Sequence, residues 1–390
     1  METTKMTNTD EAPPLFHPLS SSPSFSSLPD EIVVSCLARI PRSHYRSLLL
    51  VSKSFYYLLS SPEMYSARSQ IGATVPCLYV CLWLPKPKSQ RSWFTLMNPA
   101  EGESSLAPVR FSSSYAPVGL DSTTVTVGFE IYKIGGTVAN KLTIAVRVLD
   151  CRNHTWRRAP ALLVARKGAK SCFLDGKIYV IGGCRKRKRS MIWGEVLDIK
   201  TQTWKPLSSP SDNNGLDPSD HEVVVLGGRL YVITKHDKYA YDPKEGRWLL
   251  EMGFAGLEEP IISRPFCVIE NVVFAAHGGK YKWYDSRPGM WSVVKNLDIL
   301  YAKHPRKNRT IQLVNYSGKL VILLHEELMT INCWGQIRTQ YMRIWCAVIR
   351  LEKRLSSSGS EEIWGELECC NVVVPTVPKY KLLSCLSVSV

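Results

Sequence analysis

Twelve Cys and eight His are the side chains of this sequence best suited to hold a metal or to attack a carbon centre, and their spacing supports neither. Cys77 and Cys81 have three residues between them in a stretch that reads as a strand. Cys369 and Cys370 are adjacent, which on a strand sends them to opposite faces. No Cys-x-x-Cys pair and no Cys–His grouping marks a zinc site. Ser is abundant, but none sits in a Gly-x-Ser-x-Gly elbow. No Gly-rich loop follows a strand and opens a helix in the way that cradles a phosphate. His277, beside Gly278-Gly279, reads as a turn residue rather than a ligand. The expectation is a chain without catalytic residues, metal or cofactor, whose chemistry is recognition.

Charge offers recognition one handle. The chain carries 49 basic and 34 acidic residues, a formal net charge of +15, which favours acidic partners without selecting one. Five of the bases form the run Arg185-Lys186-Arg187-Lys188-Arg189. That run fits a nuclear localisation signal or a patch for an anionic partner, and equally a solvated loop tip. Nucleic acid is not expected as a partner, because there is no helix-turn-helix, RNA-recognition motif or zinc finger and the aromatic residues belong to repeats. The first 27 residues are polar and rich in Ser, Thr and Pro, with no apolar core of a signal peptide. The longest apolar stretches, such as Leu320 to Leu324, fall far short of a membrane span. These features predict a soluble protein with reduced thiols and no membrane partner, placed inside the cell in the nucleus and/or cytoplasm.

The elements that must position a recognition surface fall into two textures. Residues 1–26 read as a disordered tail, clearest at Ser20-Ser21-Ser22-Pro23-Ser24. Leu28-Pro29-Asp30-Glu31 then opens a helix, with Pro suited to its first position and two acids facing the positive end of the macrodipole. Ile32, Val33, Cys36, Leu37 and Ile40 recur at helical spacing, and Pro41 ends the run. A second segment holds Leu48, Leu49 and Leu50. A third places Val51, Phe55, Leu58 and Leu59 on one stripe and stops at Ser61-Pro62. Three short helices bury too little apolar surface to be comfortable alone, so a neighbour or partner is expected to cover part of it.

Beyond residue 75 the chain repeats. Glu130-Ile131-Tyr132-Lys133-Ile134-Gly135-Gly136 is echoed by Lys177-Ile178-Tyr179-Val180-Ile181-Gly182-Gly183. The second Gly is followed by an Asp after 14 residues in one unit (Asp150) and 15 in the other (Asp198), and each Asp by a Trp after 6 (Trp156, Trp204). Weaker copies lead to Trp248, Trp291 and Trp364, and an early one to Trp93. The Trp series is spaced 63, 48, 44, 43 and 73 residues apart. Short alternating segments with tight gaps read as hairpins, the Gly pairs as points of close backbone approach, and each Trp as an apolar plate between neighbouring units. Gly227-Gly228 precedes its strand and reads as a hairpin turn. Six Trp-bearing units predict six blades, with five as the alternative. The first unit lacks an inner strand of its own, while Lys381 to Val388 lies spare at the C-terminus. That segment is expected to complete the first blade and close the ring.

Two resemblances follow from these residues. Leu28-Pro29, the Ile/Leu helix, Pro41, Val51-Ser52-Lys53 and Ser61-Pro62 resemble the F-box, with Phe55 standing where that family usually has Trp. The repeats are similar to kelch. Together they resemble the plant-type F-box/kelch-repeat proteins. The fold class this implies is mainly β, a kelch-type β-propeller preceded by a small three-helix F-box module. The expected division is a tail over 1–26, the helical module over 27–66, a linker over 67–75 and the propeller over 76–390. The resemblance also implies a partner, the Skp-type adaptor of a cullin–RING ligase, contacted or supported by Leu28, Pro29, Ile32, Leu37, Val51 and Ser52 through apolar anchors in a groove. The propeller would bind an unknown target protein on its loop-rich face. The alternatives are a kelch interaction scaffold working outside a ligase and a propeller enzyme, an oxidase or isomerase.

Overall fold

The computed structural model describes residues 27–41, 44–59, 61–84, 90–97, 99, 106–109, 111, 121–184, 192–210, 221–234, 237–250, 265–285, 289–303, 309–331, 337–378 and 380–390. The chain divides into two compact units, Met1–Ala73 and Thr74–Val390.

The described part of the first unit is helical: α1 (Asp30–Ala38), α2 (Tyr45–Leu48), α3 (Lys53–Leu59) and α4 (Pro62–Gln70). Pro29 stands one residue before α1, and its carbonyl accepts from Ile32 (3.0 Å) and Val33 (3.1 Å). The fourth helix is a departure from the three expected. Ser61-Pro62, which ends α3, also starts α4: the Ser61 hydroxyl accepts from the Met64 amide at 3.3 Å, and Pro62 occupies the first turn, where a missing N–H is harmless. Ala67 to Gln70, expected to be linker, are therefore the last turn of α4.

The second unit is a ring of six four-stranded antiparallel sheets. Blade one is Lys381–Ser389, Pro76–Leu84, Gln90–Met97 and Ala107–Pro108, from the inside out. Blade two is Thr123–Val127, Glu130–Ile134, Val146–Asp150 and Thr155–Ala159; blade three is Lys170–Leu174, Lys177–Ile181, Gly194–Asp198 and Thr203–Leu207. Blade four is Glu222–Leu226, Arg229–Ile233, Lys238–Asp242 and Arg247–Leu250, and blade five Phe266–Ile269, Val272–His277, Lys280–Asp285 and Met290–Val293. Blade six, with the longest strands, is Arg309–Tyr316, Lys319–Ile331, Ile337–Leu355 and Glu361–Pro378.

The ring is closed by the two ends of this unit. Lys381–Ser389 pairs antiparallel with Pro76–Leu84, and Val75 and Val390 exchange two backbone hydrogen bonds at 2.9 and 3.0 Å. The spare C-terminal segment thus supplies the inner strand that the first unit lacks.

The second strands of blades two to four are buried over four consecutive residues, because neighbouring blades cover both faces. Ile178-Tyr179-Val180-Ile181, in a segment expected to alternate, is therefore buried throughout. The outer strand Thr155–Ala159 has no buried residue: only Trp156 and Ala159 are partly covered. Asp175-Gly176 turns the first strand of blade three into the second with φ of 47° and 73°, the left-handed pair a two-residue hairpin demands. Gly227-Gly228 does the same in blade four. The recurring Asp closes the next hairpin: the carboxylates of Asp150, Asp198 and Asp242 accept from the amides of Arg152, Lys200 and Lys244 at 2.9, 2.9 and 3.0 Å. The Trp six residues on is the cross-strand partner of the residue before that Asp, as in Leu149–Trp156 and Leu197–Trp204.

Four of the six Trp act as plates between blades. Trp156, Trp204, Trp248 and Trp291 pack into the apolar clusters shared with the preceding blade. The indole Nε1 of Trp204 donates to the Pro160 carbonyl (2.9 Å) and that of Trp248 to the Ser208 carbonyl (2.8 Å), tying each blade to the chain leaving the one before. Trp93 and Trp364 differ. Trp93 lies on the third strand of its blade, against Trp156. Trp364 is on an outer strand but outside those apolar clusters, with the Arg354 guanidinium over its ring at 4.7 Å.

Candidate functional site

The helical unit separates its apolar residues into two populations. Leu37 is 1% exposed and packs with Val33, Val34, Ala38, Tyr45, Leu59, Met64 and Tyr65. Phe55, half-buried, leans on the same cluster, so the replaced aromatic keeps its place in the core. Leu28, Ile32 and Val51 remain at the surface, at 38%, 49% and 64% exposure, as does Pro29. Ser52 is exposed and caps α3, its hydroxyl accepting from the Phe55 amide at 3.1 Å. The six residues singled out in the sequence thus comprise four surface groups, one cap and one core residue.

Sequence reasoning missed Leu50, Tyr56 and Tyr57, which are more exposed than half. The signal was present in Leu48-Leu49-Leu50 and Tyr56-Tyr57, since a helix cannot turn three or two consecutive large side chains to one face. It also missed Arg68, which is buried at 2% exposure and holds the unit together. Its Nη1 donates to the carbonyls of Ala38 and Ile40, both at 2.9 Å, and to the Tyr45 hydroxyl at 3.1 Å, while Nη2 donates to the Ala73 carbonyl. A guanidinium at the C-terminal end of α1 answers carbonyls that have no partner within the helix.

In the propeller the Gly pairs and a buried ion pair form one arrangement. The Gly136 amide donates to the Arg166 carbonyl, and the Lys167 amide to the Gly183 carbonyl, both at 2.7 Å. A Cβ at Gly135 would stand 2.8 Å from the Arg166 carbonyl oxygen, and one at Gly183 2.7 Å from that of Lys167. The Gly pairs therefore admit the strap joining blades two and three. Arg166 on that strap is 1% exposed and meets the fully buried Glu195 at 2.8 Å. Three of the four remaining guanidinium hydrogens reach the carbonyls of Gly182 (2.6 Å), Ile192 (2.8 Å) and Trp193 (3.3 Å), and the carboxylate also accepts from the amides of Leu163 and Val164 at 2.6 and 3.2 Å. Both charges are thus answered by groups of the protein itself.

The family comparisons match this division. The F-box domain model matches residues 25–66, and the model described as FKB95, Kelch-repeats domain, matches residues 93–374. A putative F-box/kelch-repeat protein of Arabidopsis thaliana is 57% identical over 373 residues, covering 95% of this chain and 94% of its own length. The chain belongs to the F-box/kelch-repeat family. A second Arabidopsis thaliana F-box/kelch-repeat protein is 41% identical over 96% of this chain and 94% of its own.

In this F-box/kelch-repeat chain the kelch match leaves out both Pro76–Leu84 and Lys381–Ser389, the strands that close the ring. The F-box match stops inside α4, two residues short of Arg68. Arg185 to Arg189 lie outside the described residues. In sequence they fall between Lys177–Ile181 and Gly194–Asp198. The thiols near the closure are buried: desolvation pushes Cys385 up to about 12 and Cys346 well above its usual range. No described helix is long and apolar enough to cross a membrane.

Proposed function

We propose that this chain is the substrate-recognition subunit of a Skp–cullin–F-box ubiquitin ligase, the helical unit binding the Skp-type adaptor and the propeller a target protein. One observation carries the proposal. The unit that matches the F-box leaves Leu28, Ile32, Leu50 and Val51 in solvent although its own core is complete. Apolar side chains that a core does not use are anchors for a partner's groove. Ubiquitin transfer falls to other subunits, so the chain needs no nucleophile of its own. It acts inside the cell, in the nucleus or cytoplasm, where buried thiols such as Cys346 and Cys385 stay reduced.

The test is capture of a purified Skp-type adaptor by the full chain. Ile32→Glu, Val51→Glu and the pair Leu28→Ala/Pro29→Ala are expected to lose capture with an unchanged far-UV circular dichroism spectrum. A wild-type chain that captures no adaptor would overturn the ligase reading and leave a kelch scaffold acting outside a ligase.

A further inference from the structure

We propose that Ser357 is a phosphoacceptor for an arginine-directed serine/threonine kinase. It lies in the exposed turn Ser356-Ser357-Ser358-Gly359-Ser360, which joins the third and fourth strands of blade six. The four hydroxyls of this turn are not equivalent. Ser356, Ser358 and Ser360 hydrogen-bond one another at 2.7, 2.7 and 3.2 Å, and the Ser356 hydroxyl also accepts from the Ser360 amide at 3.2 Å. The Ser357 hydroxyl takes no part in that network and faces solvent.

Two further observations bear on it. Arg354 stands three residues before Ser357 and Lys353 four, both exposed, which puts positive charge where a kinase with an acidic peptide groove reads it. The tip can also open into the extended form such a groove requires. From Glu352 to Glu361 no side chain is buried: Leu355 is 74% exposed, and the core resumes only at Ile363. Opening breaks the Ser356–Ser360 and Gly359–Ser356 backbone bonds, at 2.8 and 2.9 Å, and exposes no core. Water replaces each such bond at small net cost.

In the reaction the Ser357 Oγ attacks the γ-phosphorus of a nucleoside triphosphate. The new O–P bond replaces the bond to the β-phosphate oxygen, the nucleoside diphosphate leaves, and the hydroxyl proton passes to the kinase's base. The product adds a charge of about −1.5 to −2 next to Arg354. Arg354 now pairs with Glu352 at 2.7 Å, an exposed contact that a phosphate can displace.

The experiment treats purified full-length chain with ATP and the catalytic subunit of cyclic-AMP-dependent protein kinase, and in parallel with the acid-directed casein kinase 2. Phosphate is mapped within the tryptic peptide 355–379, or 354–379 in Arg354→Gln, which lacks the cleavage site. The expected result is incorporation at Ser357 by the arginine-directed enzyme, abolished in Ser357→Ala and slowed about tenfold in Arg354→Gln, the loss of one charged contact. Both variants alter exposed groups only, and an unchanged thermal transition checks that they fold. Absence of phosphate from the peptide would overturn the proposal, as would labelling confined to Ser356, Ser358 or Ser360, or labelling of Ser357 that ignores Arg354→Gln.

Discussion

Arg166 and Glu195 meet at 2.8 Å with neither side chain reaching solvent, and each is anchored on backbone from a different part of the blade two–blade three junction. Removing one member leaves the other charge buried alone. Glu195→Ala and Arg166→Met are each expected to destabilise the propeller by roughly 3–5 kcal/mol, measured by denaturant unfolding. The double variant should cost less than the sum of the two. Strict additivity would mean the two groups do not act as a pair.

The Gly pairs make a graded prediction. Gly183 has φ of +72°, and an added Cβ meets the Lys167 carbonyl oxygen at 2.7 Å and the Ala169 nitrogen at 2.8 Å; Gly227 has φ of +55° and open space. Gly227→Ala should cost only the left-handed penalty, about 1–2 kcal/mol. Gly183→Ala adds backbone overpacking of roughly 1–3 kcal/mol. Equal shifts in the unfolding midpoint would show that the close approach is not what selects Gly at 183.

Ring closure is tested by truncation. Deleting 380–390 removes the inner strand of blade one and uncovers Leu78, Val80 and Cys77, all buried in the intact protein. The truncated chain is expected to aggregate or to lose its cooperative thermal transition. An unchanged melting temperature and solubility would contradict closure by this strand.

Within the helical unit, core and surface substitutions should part company. Leu37→Ala is expected to cost about 2–5 kcal/mol of stability and to lose adaptor capture only through unfolding. Ile32→Glu should leave the melting temperature within about 1 °C of wild type while abolishing capture. Two variants with identical melting and capture would erase the distinction.

The hairpin aspartates set an acid limit. The Thr201 amide, with that of Lys200, holds the Asp198 carboxyl below its usual range, and the Lys244 amide, with that of Glu245, does the same for Asp242. A depressed folded pKa contributes stability that is present above the unfolded value, about 3.9, and is lost as pH falls through the folded value. Between about pH 6 and pH 3, the melting temperature of Asp198→Asn/Asp242→Asn should start lower and fall less steeply than that of wild type. Parallel curves would assign the acid limit to other groups.

The sequence alone determined what is local or periodic: the helical stripe through Leu37, the hairpin at Gly227-Gly228, and the Asp–Trp spacing that registers the third strand against the fourth. These follow from backbone geometry and side-chain period, which a few consecutive residues specify. Burial of the second strand on both faces was not legible: Lys177–Ile181 reads as an alternating segment, and only the neighbouring blades cover its second face. Tertiary structure decided what depends on residues distant in the chain. Arg68 looks like an ordinary surface base until the end of α1 presents carbonyls to it, and Glu195 like a stray charge in a strand until the strap brings Arg166. Leu37 and Ile32 share one apolar helix, yet only packing separates the residue the core consumes from the one it leaves in solvent. The physical reason is that burial belongs to pairs of surfaces, and a sequence names only one of the two.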